Sequence, residues 1–290
     1  MELSQLRYFA EIARTENMSQ AARNLYVSQP GLSRSLAALE EELGVELFLR
    51  RGRGLQLSAA GRTFLQSVQA VEALLVQAKE SLAEDAAPGT GLIRLGYLGS
   101  LGWDLLPQLV HSYRQRHPQI RFQLLEGAAG ELRDRLESGE LDLLLSMPPL
   151  VDHAVQYTKI LEQTLVALLP TGHRLARRKR LSLEELLGEE FLALRQGNTL
   201  REVFDGACRS SGLSPRIGFE SDSVATVRGL VAAGEGVALL PAVEGGLQGV
   251  VEVAVTPAVT RTIAIGYLAE RRLSQAAQDF LDWAPSAVPA

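Results

Sequence analysis

A heptad ladder constrains this chain more than any other feature. Phe64, Val68, Val71, Leu75, Ala78 and Leu82 step by 4, 3, 4, 3 and 4, which aligns them on one seam of a single helix. Ser58 is placed to cap that helix, and Ala86-Ala87-Pro88-Gly89-Thr90-Gly91 is a breaker-rich linker beyond it. A lone helix of this kind does not hold itself together in water, so the seam must meet a partner. The chain's own body is one candidate. The same helix of a second copy is the other, and the one we expect. Residues 58–87 are thus a linker and dimerisation helix between two parts of different pattern.

Ahead of the ladder, residues 1–60 read as three short helices and a wing. Leu3, Leu6, Phe9, Ala10 and Ala13 repeat at helical spacing. Ser19 is placed to cap a second helix, Gln20 to Leu25. Ser28 is placed to cap a third, which runs to Leu43 and stops at Gly44. Pro30 is harmless in the first turn, where the amides lack helical partners. Leu32, Leu36, Leu39 and Leu43 line one face of this third helix, while Pro30, Ser33, Arg34 and Ala37 fall on the other. Leu47 to Arg50 and Gly54 to Leu57 look like short strands joined by Arg51-Gly52-Arg53. Two helices joined by a tight turn, the second with an exposed polar face, suit the reading of a DNA major groove. A plain three-helix bundle has the same spacing. Arg50, Arg51 and Arg53 add a cationic tip where phosphates would lie. Residues 1–62 carry eight arginines and seven glutamates, but Glu40, Glu41, Glu42 and Glu46 gather at the far end of the third helix, so the charge is segregated.

Beyond the ladder, apolar runs alternate with amphipathic segments. Strands are expected at Leu92 to Leu98, Phe122 to Glu126, Leu141 to Ser146, Leu165 to Leu169, Phe191 to Leu194, Arg216 to Phe219 and Val237 to Leu240. Helices are expected after Gly102, at Glu131 to Ser138, Leu183 to Leu187, Thr199 to Ser211 and Val224 to Ala233. This alternation implies parallel sheets, and its length suits two lobes. Residues 135–145 and 230–240 echo each other as helix, Gly stop and buried strand, with Gly139 and Gly234 supplying left-handed caps.

Composition narrows the function. The chain has 290 residues and a net charge of −5, so any nucleic-acid contact must come from a local patch. A single cysteine, Cys208, excludes an internal disulfide and a thiolate-rich zinc site. No uninterrupted apolar run reaches membrane-spanning length, and Met1-Glu2-Leu3-Ser4 does not open a signal peptide. A cytoplasmic protein with no membrane partner is expected. His111, His117, His153 and His173 lack metal-ligand spacing, and no phosphate-binding glycine motif occurs. We therefore expect no cofactor, no metal and no catalytic residue. Cys208 reads as a core thiol, and residues 174–180, a basic run, as a solvated loop.

The stretch Ser19-Gln20-Ala21-Ala22-Arg23-Asn24-Leu25-Tyr26-Val27-Ser28-Gln29-Pro30-Gly31-Leu32-Ser33-Arg34 resembles the winged helix-turn-helix of LysR-type transcriptional regulators. Leu39 to Phe48, Arg50-Arg51 and Leu57-Ser58-Ala59-Ala60-Gly61 continue the likeness, and Leu230 to Pro241 is similar to the family's C-terminal half. Gly31 departs from the Pro, Ala or Ser of many relatives. The resemblance covers essentially the whole chain. It implies an α/β protein with an all-α-type winged helix-turn-helix, a long linker helix, and a two-lobe effector domain of periplasmic-binding-protein type. That effector domain would span 91–290, with lobe I at about 91–161 plus 268–290 and lobe II at about 162–267. It further implies a bacterial homodimer or homotetramer on an interrupted inverted repeat near promoters, with double-stranded DNA, a small-molecule effector and RNA polymerase as partners. By motif position, Gln29, Pro30, Ser33 and Arg34 would face DNA, with Arg50, Arg51 and Arg53 near the backbone. Arg suits guanine and Gln suits adenine.

Ligands of open α/β sheets bind at the carboxyl ends of strands, and helix N-termini favour anions. The turns at Ser100, at Ala128-Ala129-Gly130, at Asn198-Thr199 and at Ser221 to Ser223 are therefore the expected effector site. The resemblance supports Ser100 and then Thr199. A small carboxylate is the expected ligand, with Arg195 and Arg201 as counter-charges; each Ser or Thr can equally be a plain helix cap. Two rivals remain, a solute-binding module without a DNA role and an enzyme on a two-lobe fold.

Overall fold

Each N-terminal helix forms where apolar side chains share a face and the first amides meet a capping oxygen. A computed structural model describes residues 1–51, 54–86, 89–149, 154–242 and 245–288. One unit is built on Met1–Glu80, the other on Ser81–Leu136 and Leu141–Ala290.

In the first unit, α1 (Leu3–Thr15), α2 (Met18–Asn24) and α3 (Gln29–Leu43) pack through Phe9, Ile12, Ala21, Leu32 and Leu39. The cap of α2 differs from expectation. Asn17, not Ser19, accepts from the Gln20 amide, because the helix starts two residues earlier and leaves Ser19 on its surface. Ser28 caps α3 as expected, and Gly44 ends it in the left-handed region at φ 69°. The wing is an antiparallel pair, β1 (Phe48–Arg51) and β2 (Gly54–Leu57). The linker helix is α4 (Ala59–Ala86), and the Ser58 hydroxyl accepts from the Gly61 amide at 2.9 Å.

The second unit runs β3 (Gly91–Leu98), a 3-10 turn (Gly99–Leu101), α5 (Leu105–Arg116), β4 (Ile120–Gly127), α6 (Ala129–Glu137), β5 (Leu143–Ser146) and β6 (Val155–Pro170). It continues with β7 (Arg180–Ser182), α7 (Leu183–Leu187), β8 (Phe191–Leu194), α8 (Thr199–Ser210), β9 (Ile217–Ser221), α9 (Val224–Ala233), β10 (Ala238–Pro241), β11 (Val250–Leu268) and α10 (Gln275–Ala287). The expectation of parallel sheets is corrected. β3 pairs in parallel with β4 and β5, and β8 with β9, but β6 and β11 pair antiparallel with each other and join β5 and β10 in one mixed sheet. The cause is the length of those two strands, 16 and 19 residues. The sequence pattern marks only Leu165 to Leu169 of β6 and none of β11, because their outer positions are polar and the apolar alternation is broken.

β6 and β11 run through two hydrophobic cores. One core holds Leu95, Leu109, Tyr113, Leu132, Ile263 and Phe280, with Ile160 from β6. The other holds Leu169, Phe191, Phe204, Val231, Leu240 and Val253. Gly139 and Gly234 both take positive φ, 82° and 92°, so each helix-to-strand reversal of the internal echo uses its glycine as expected. Arg180 is not loop but the first residue of β7, which pairs with β11.

Candidate functional site

Two places concentrate unpaired polarity. The first is the start of α3. Leu32 and Leu39 are fully buried, which turns Gln29, Pro30, Ser33 and Arg34 outward, and all four are exposed. The Ser19 hydroxyl donates to Gln29 Oε1 at 2.9 Å and orients that amide. Gly31 has a local reason: a Cβ there would stand 3.0 Å from the Ser28 cap oxygen. Arg34 forms no ion pair among the described residues. Tyr26, in the turn before α3, is 97% exposed with φ 57°. Nothing in the sequence pattern singled it out; its backbone conformation, rare for a side-chain-bearing residue, does. Of the wing arginines, Arg53 and the side chains of Arg50 and Arg51 lie outside the described residues.

The heptad seam divides in two. Phe64 and Val68 belong to the first unit's core, with Phe64 against Phe9 at 5.1 Å. Val71, Leu75, Ala78 and Leu82 stay exposed, Leu82 at 70%, and Leu74 and Val76 widen the apolar strip.

The second place lies in the C-terminal unit. Ser100, in the 3-10 turn after β3, accepts from Arg261 Nη1 at 2.8 Å. Arg261 stands on β11 opposite Gln163 of β6, and its Nε and Nη2 both donate to the Gln163 amide oxygen, at 2.8 and 2.6 Å. Arg228, on α9, donates from Nη2 to the Pro241 carbonyl at 2.8 Å, and its buried Nε has no acceptor.

Three arginines are buried among the described residues, and their surroundings differ. Arg201 is held by Asp205 at 2.8 Å and Glu220 at 2.7 Å. Burial opposes its charge, but the hydrogen bonds to Glu220 and Asp205 prevail and lift it above the ordinary arginine value. Among the described residues, Arg261 and Arg228 have only neutral oxygens as hydrogen-bond partners. Burial, and then the charge of Arg228, pulls Arg261 down to about 9. Burial also lowers Arg228, against the more distant pull of Glu252 and Asp104. A cation desolvated without a counter-charge is costly, and such a place favours an incoming anion.

The other expected effector residues divide by use. Asn198 and Ser223 cap α8 and α9, and Ser221 accepts from the Ser223 amide. Thr199 is the first residue of α8, half-buried. Ala128, Ala129 and Gly130 open α6, with Gly130 facing open space. The counter-charge expectation is corrected. Arg195 pairs with Asp222 on the surface and Arg201 is already neutralised, so among the described residues the buried arginines without an ion pair are Arg228 and Arg261. The sequence could not show this, because both arginines sit inside apolar segments and acquire meaning only through strand register.

Two grooves lie elsewhere. One, of about 290 Å³, is lined by Leu183, Val203, Ala207, Pro257 and Thr260; the other, of about 390 Å³, by Arg7, Glu11, Arg14, Gln69 and Glu72. Neither holds Ser100 or a buried, unpaired cation. Cys208 is buried in α8, and desolvation raises its thiol to about 11, far from a reactive thiolate. Among the described residues there is no metal-binding cluster of His, Cys, Asp or Glu, and no helix is long and apolar enough to cross a membrane.

Comparison with known proteins adds to this geometry. Residues 3–62 match the family described as bacterial regulatory helix-turn-helix protein, lysR family, and residues 86–288 match the LysR substrate binding domain. The chain is 38% identical to the uncharacterized HTH-type transcriptional regulator YybE of Bacillus subtilis, over 97% of each chain. It is 35% identical to the transcriptional dual regulator GltC of the same organism, over 98% of this chain and 96% of the relative. Among solved structures, full-length OxyR from Pseudomonas aeruginosa is similar with a TM-score of 0.74 and 27% identity, covering 99% of this chain and 94% of that one. Full-length CbnR complexed with its target DNA shares the fold, with a TM-score of 0.77 and 24% identity over 99% and 100%.

Proposed function

This chain belongs to the LysR family of DNA-binding transcriptional regulators, and from that premise we propose that it senses a small carboxylate and reads DNA as paired copies. The relatives are regulators with an effector-binding domain. The observation that carries the effector class is the bond between buried Arg261 and Ser100. A carboxylate at that turn gains a guanidinium, a hydroxyl and a site already stripped of water.

On the DNA side, α3 enters the major groove with Gln29, Ser33 and Arg34 toward bases or phosphates, and the wing arginines Arg50, Arg51 and Arg53 approach the backbone. The exposed seam from Val71 to Leu82 pairs with a second copy, which presents two α3 helices to half-sites about 34 Å apart or a multiple of it. Two such dimers form the tetramer on an interrupted inverted repeat, and RNA polymerase is the downstream partner. The effector acts by population shift: it favours one closure of the domain, and that closure biases how the copies pack on DNA. The protein performs no catalysis and works in the cytoplasm.

Two measurements test this. Gel shifts on promoter fragments upstream of its own gene and its neighbours should weaken log-linearly with salt, and a flat salt dependence would remove the DNA half. Thermal-shift screening of small carboxylates should give hits that vanish in Ser100→Ala. Hits that survive unchanged place the ligand elsewhere.

A further inference from the structure

The Ser100 site carries more positive charge than one carboxylate can use. Strand register brings the two cations together. Arg261 on β11 stands opposite Gln163 of β6, and Pro241, which holds the Arg228 guanidinium, stands opposite Leu165 of the same strand. Gln163 and Leu165 are two residues apart, so the backbones of Arg261 and Pro241 flank the same stretch of β6 from its two sides, about 12 Å apart from strand spacing and rise. The guanidiniums reach from these anchors while 92% and 98% buried, since only 8% of Arg228 and 2% of Arg261 is exposed.

The partners do not neutralise them. Arg261 gives its donors to an amide and a hydroxyl, and Arg228 gives one donor to a carbonyl and leaves Nε unsatisfied. Neither forms an ion pair among the described residues, whereas Arg201, buried to the same degree, holds two carboxylates. Among the described residues, Glu252 and Asp104 are the acids that act on Arg228, and neither forms an ion pair with it. Arg228 in turn acts on Arg261 as a like charge. Two mutually repelling, desolvated cations cost the fold stability, and an anion placed between them would relieve that cost.

We propose that Arg228 and Arg261 together select a small dicarboxylate, one carboxylate seated on Arg261 and Ser100 and the other on Arg228. This rests on the carboxylate reading of the Ser100 site and adds the second charge to it. Arg228 is then the specificity-determining residue: its Nε and remaining donors form a fork for a carboxylate that a monocarboxylate does not supply. A monocarboxylate satisfies Arg261 and leaves Arg228 as it stands.

The test uses the full-length protein and isothermal titration. The probes are malonate, succinate, glutarate and adipate, with butyrate and pentanoate as singly charged counterparts and inorganic phosphate as a compact dianion. One dicarboxylate should bind at least about tenfold more tightly than the monocarboxylate of its length, the scale of a desolvated charge pair. In Arg228→Gln that preference should fall to within about twofold; Arg228→Lys, which keeps the charge but not the fork, should retain part of it. The wild-type ratio and the Lys variant decide the matter even where the Gln variant does not fold. Equal binding of both carboxylate classes, an unchanged preference in Arg228→Gln, or phosphate binding as tightly as the best dicarboxylate overturns the proposal. Binding of monocarboxylates alone overturns it and leaves the carboxylate site standing. Binding of none of the carboxylates removes both.

Discussion

The two functional regions use arginine in opposite ways. Arg34 stands in water on the face of α3, and its charge adds almost nothing to the cost of folding. Arg228 and Arg261 are taken out of water without carboxylates and burden the fold. The difference matches the targets. A DNA backbone is a long, dense line of charge that an exposed cation feels from a distance. A small anion must surrender its hydration, so its site has to be dry and charged before it arrives. On the proposed reading, recognition of DNA is thus built on stability-neutral positions, and recognition of the small molecule on positions that reduce stability.

The largest expected effect breaks the DNA region through its support. Leu32→Ala empties a fully buried position beneath the exposed face and should cost about 3 kcal/mol, enough to unfold the small N-terminal unit near physiological temperature. Circular-dichroism melts should show an early transition, gel shifts should vanish, and the dicarboxylate-induced thermal shift should survive. Loss of that ligand response would mean the two regions do not stand on separate cores. Next, Arg34→Ala should cost about 2 kcal/mol in DNA affinity with no change in melting temperature. An unchanged affinity would show that Arg34 is only a solvated side chain.

The same contrast explains what could be read from sequence. Apart from the Ser19 hydroxyl that orients Gln29, what shapes the α3 face lies between Ser28 and Gly44: the cap, the proline in the first turn, the leucine spacing and the glycine stop. Local rules suffice there. The cap of α2 was misplaced only because Asn17 and Ser19 are both good capping residues two positions apart. The proposed anion site draws on Ser100, Gln163, Arg228 and Arg261, and its central bond joins residues 161 positions apart. Its register depends on β6 and β11, whose length and antiparallel pairing no local pattern announces. Ser100 was visible because it follows a strand; its arginine partners were not.

Two middle-sized effects have opposite signs. Ser28→Ala removes the oxygen that accepts from the Gly31 amide and should destabilise the N-terminal unit by about 1 kcal/mol, weakening DNA binding slightly. Arg228→Met removes a buried cation with an orphaned Nε and should stabilise the C-terminal unit by about 1 kcal/mol, while the preference for dicarboxylates is lost. Differential scanning calorimetry separates the two. A fall in melting temperature for Arg228→Met would mean that the carbonyl of Pro241 and the surrounding packing need the guanidinium more than its charge harms them.

The smallest effect on the single chain sharpens the comparison most, because it concerns a surface whose cost falls due only outside an assembly. Leu82 is 70% exposed and belongs to none of the hydrophobic cores among the described residues. Leu82→Ser should change the stability of an isolated chain by less than about 0.5 kcal/mol. If α4 pairs with its copy, the same substitution removes an apolar step from both sides of the interface, so a single change acts twice. Analytical ultracentrifugation should then show dissociation at concentrations where the parent protein remains paired. DNA affinity should fall with it, because one recognition helix without its twin loses the second half-site. Effector affinity should stay where it was, since Ser100, Arg228 and Arg261 sit far along the chain from the seam. A variant that keeps its mass at every concentration would show that the exposed strip from Val71 to Leu82 is covered by something other than a second copy.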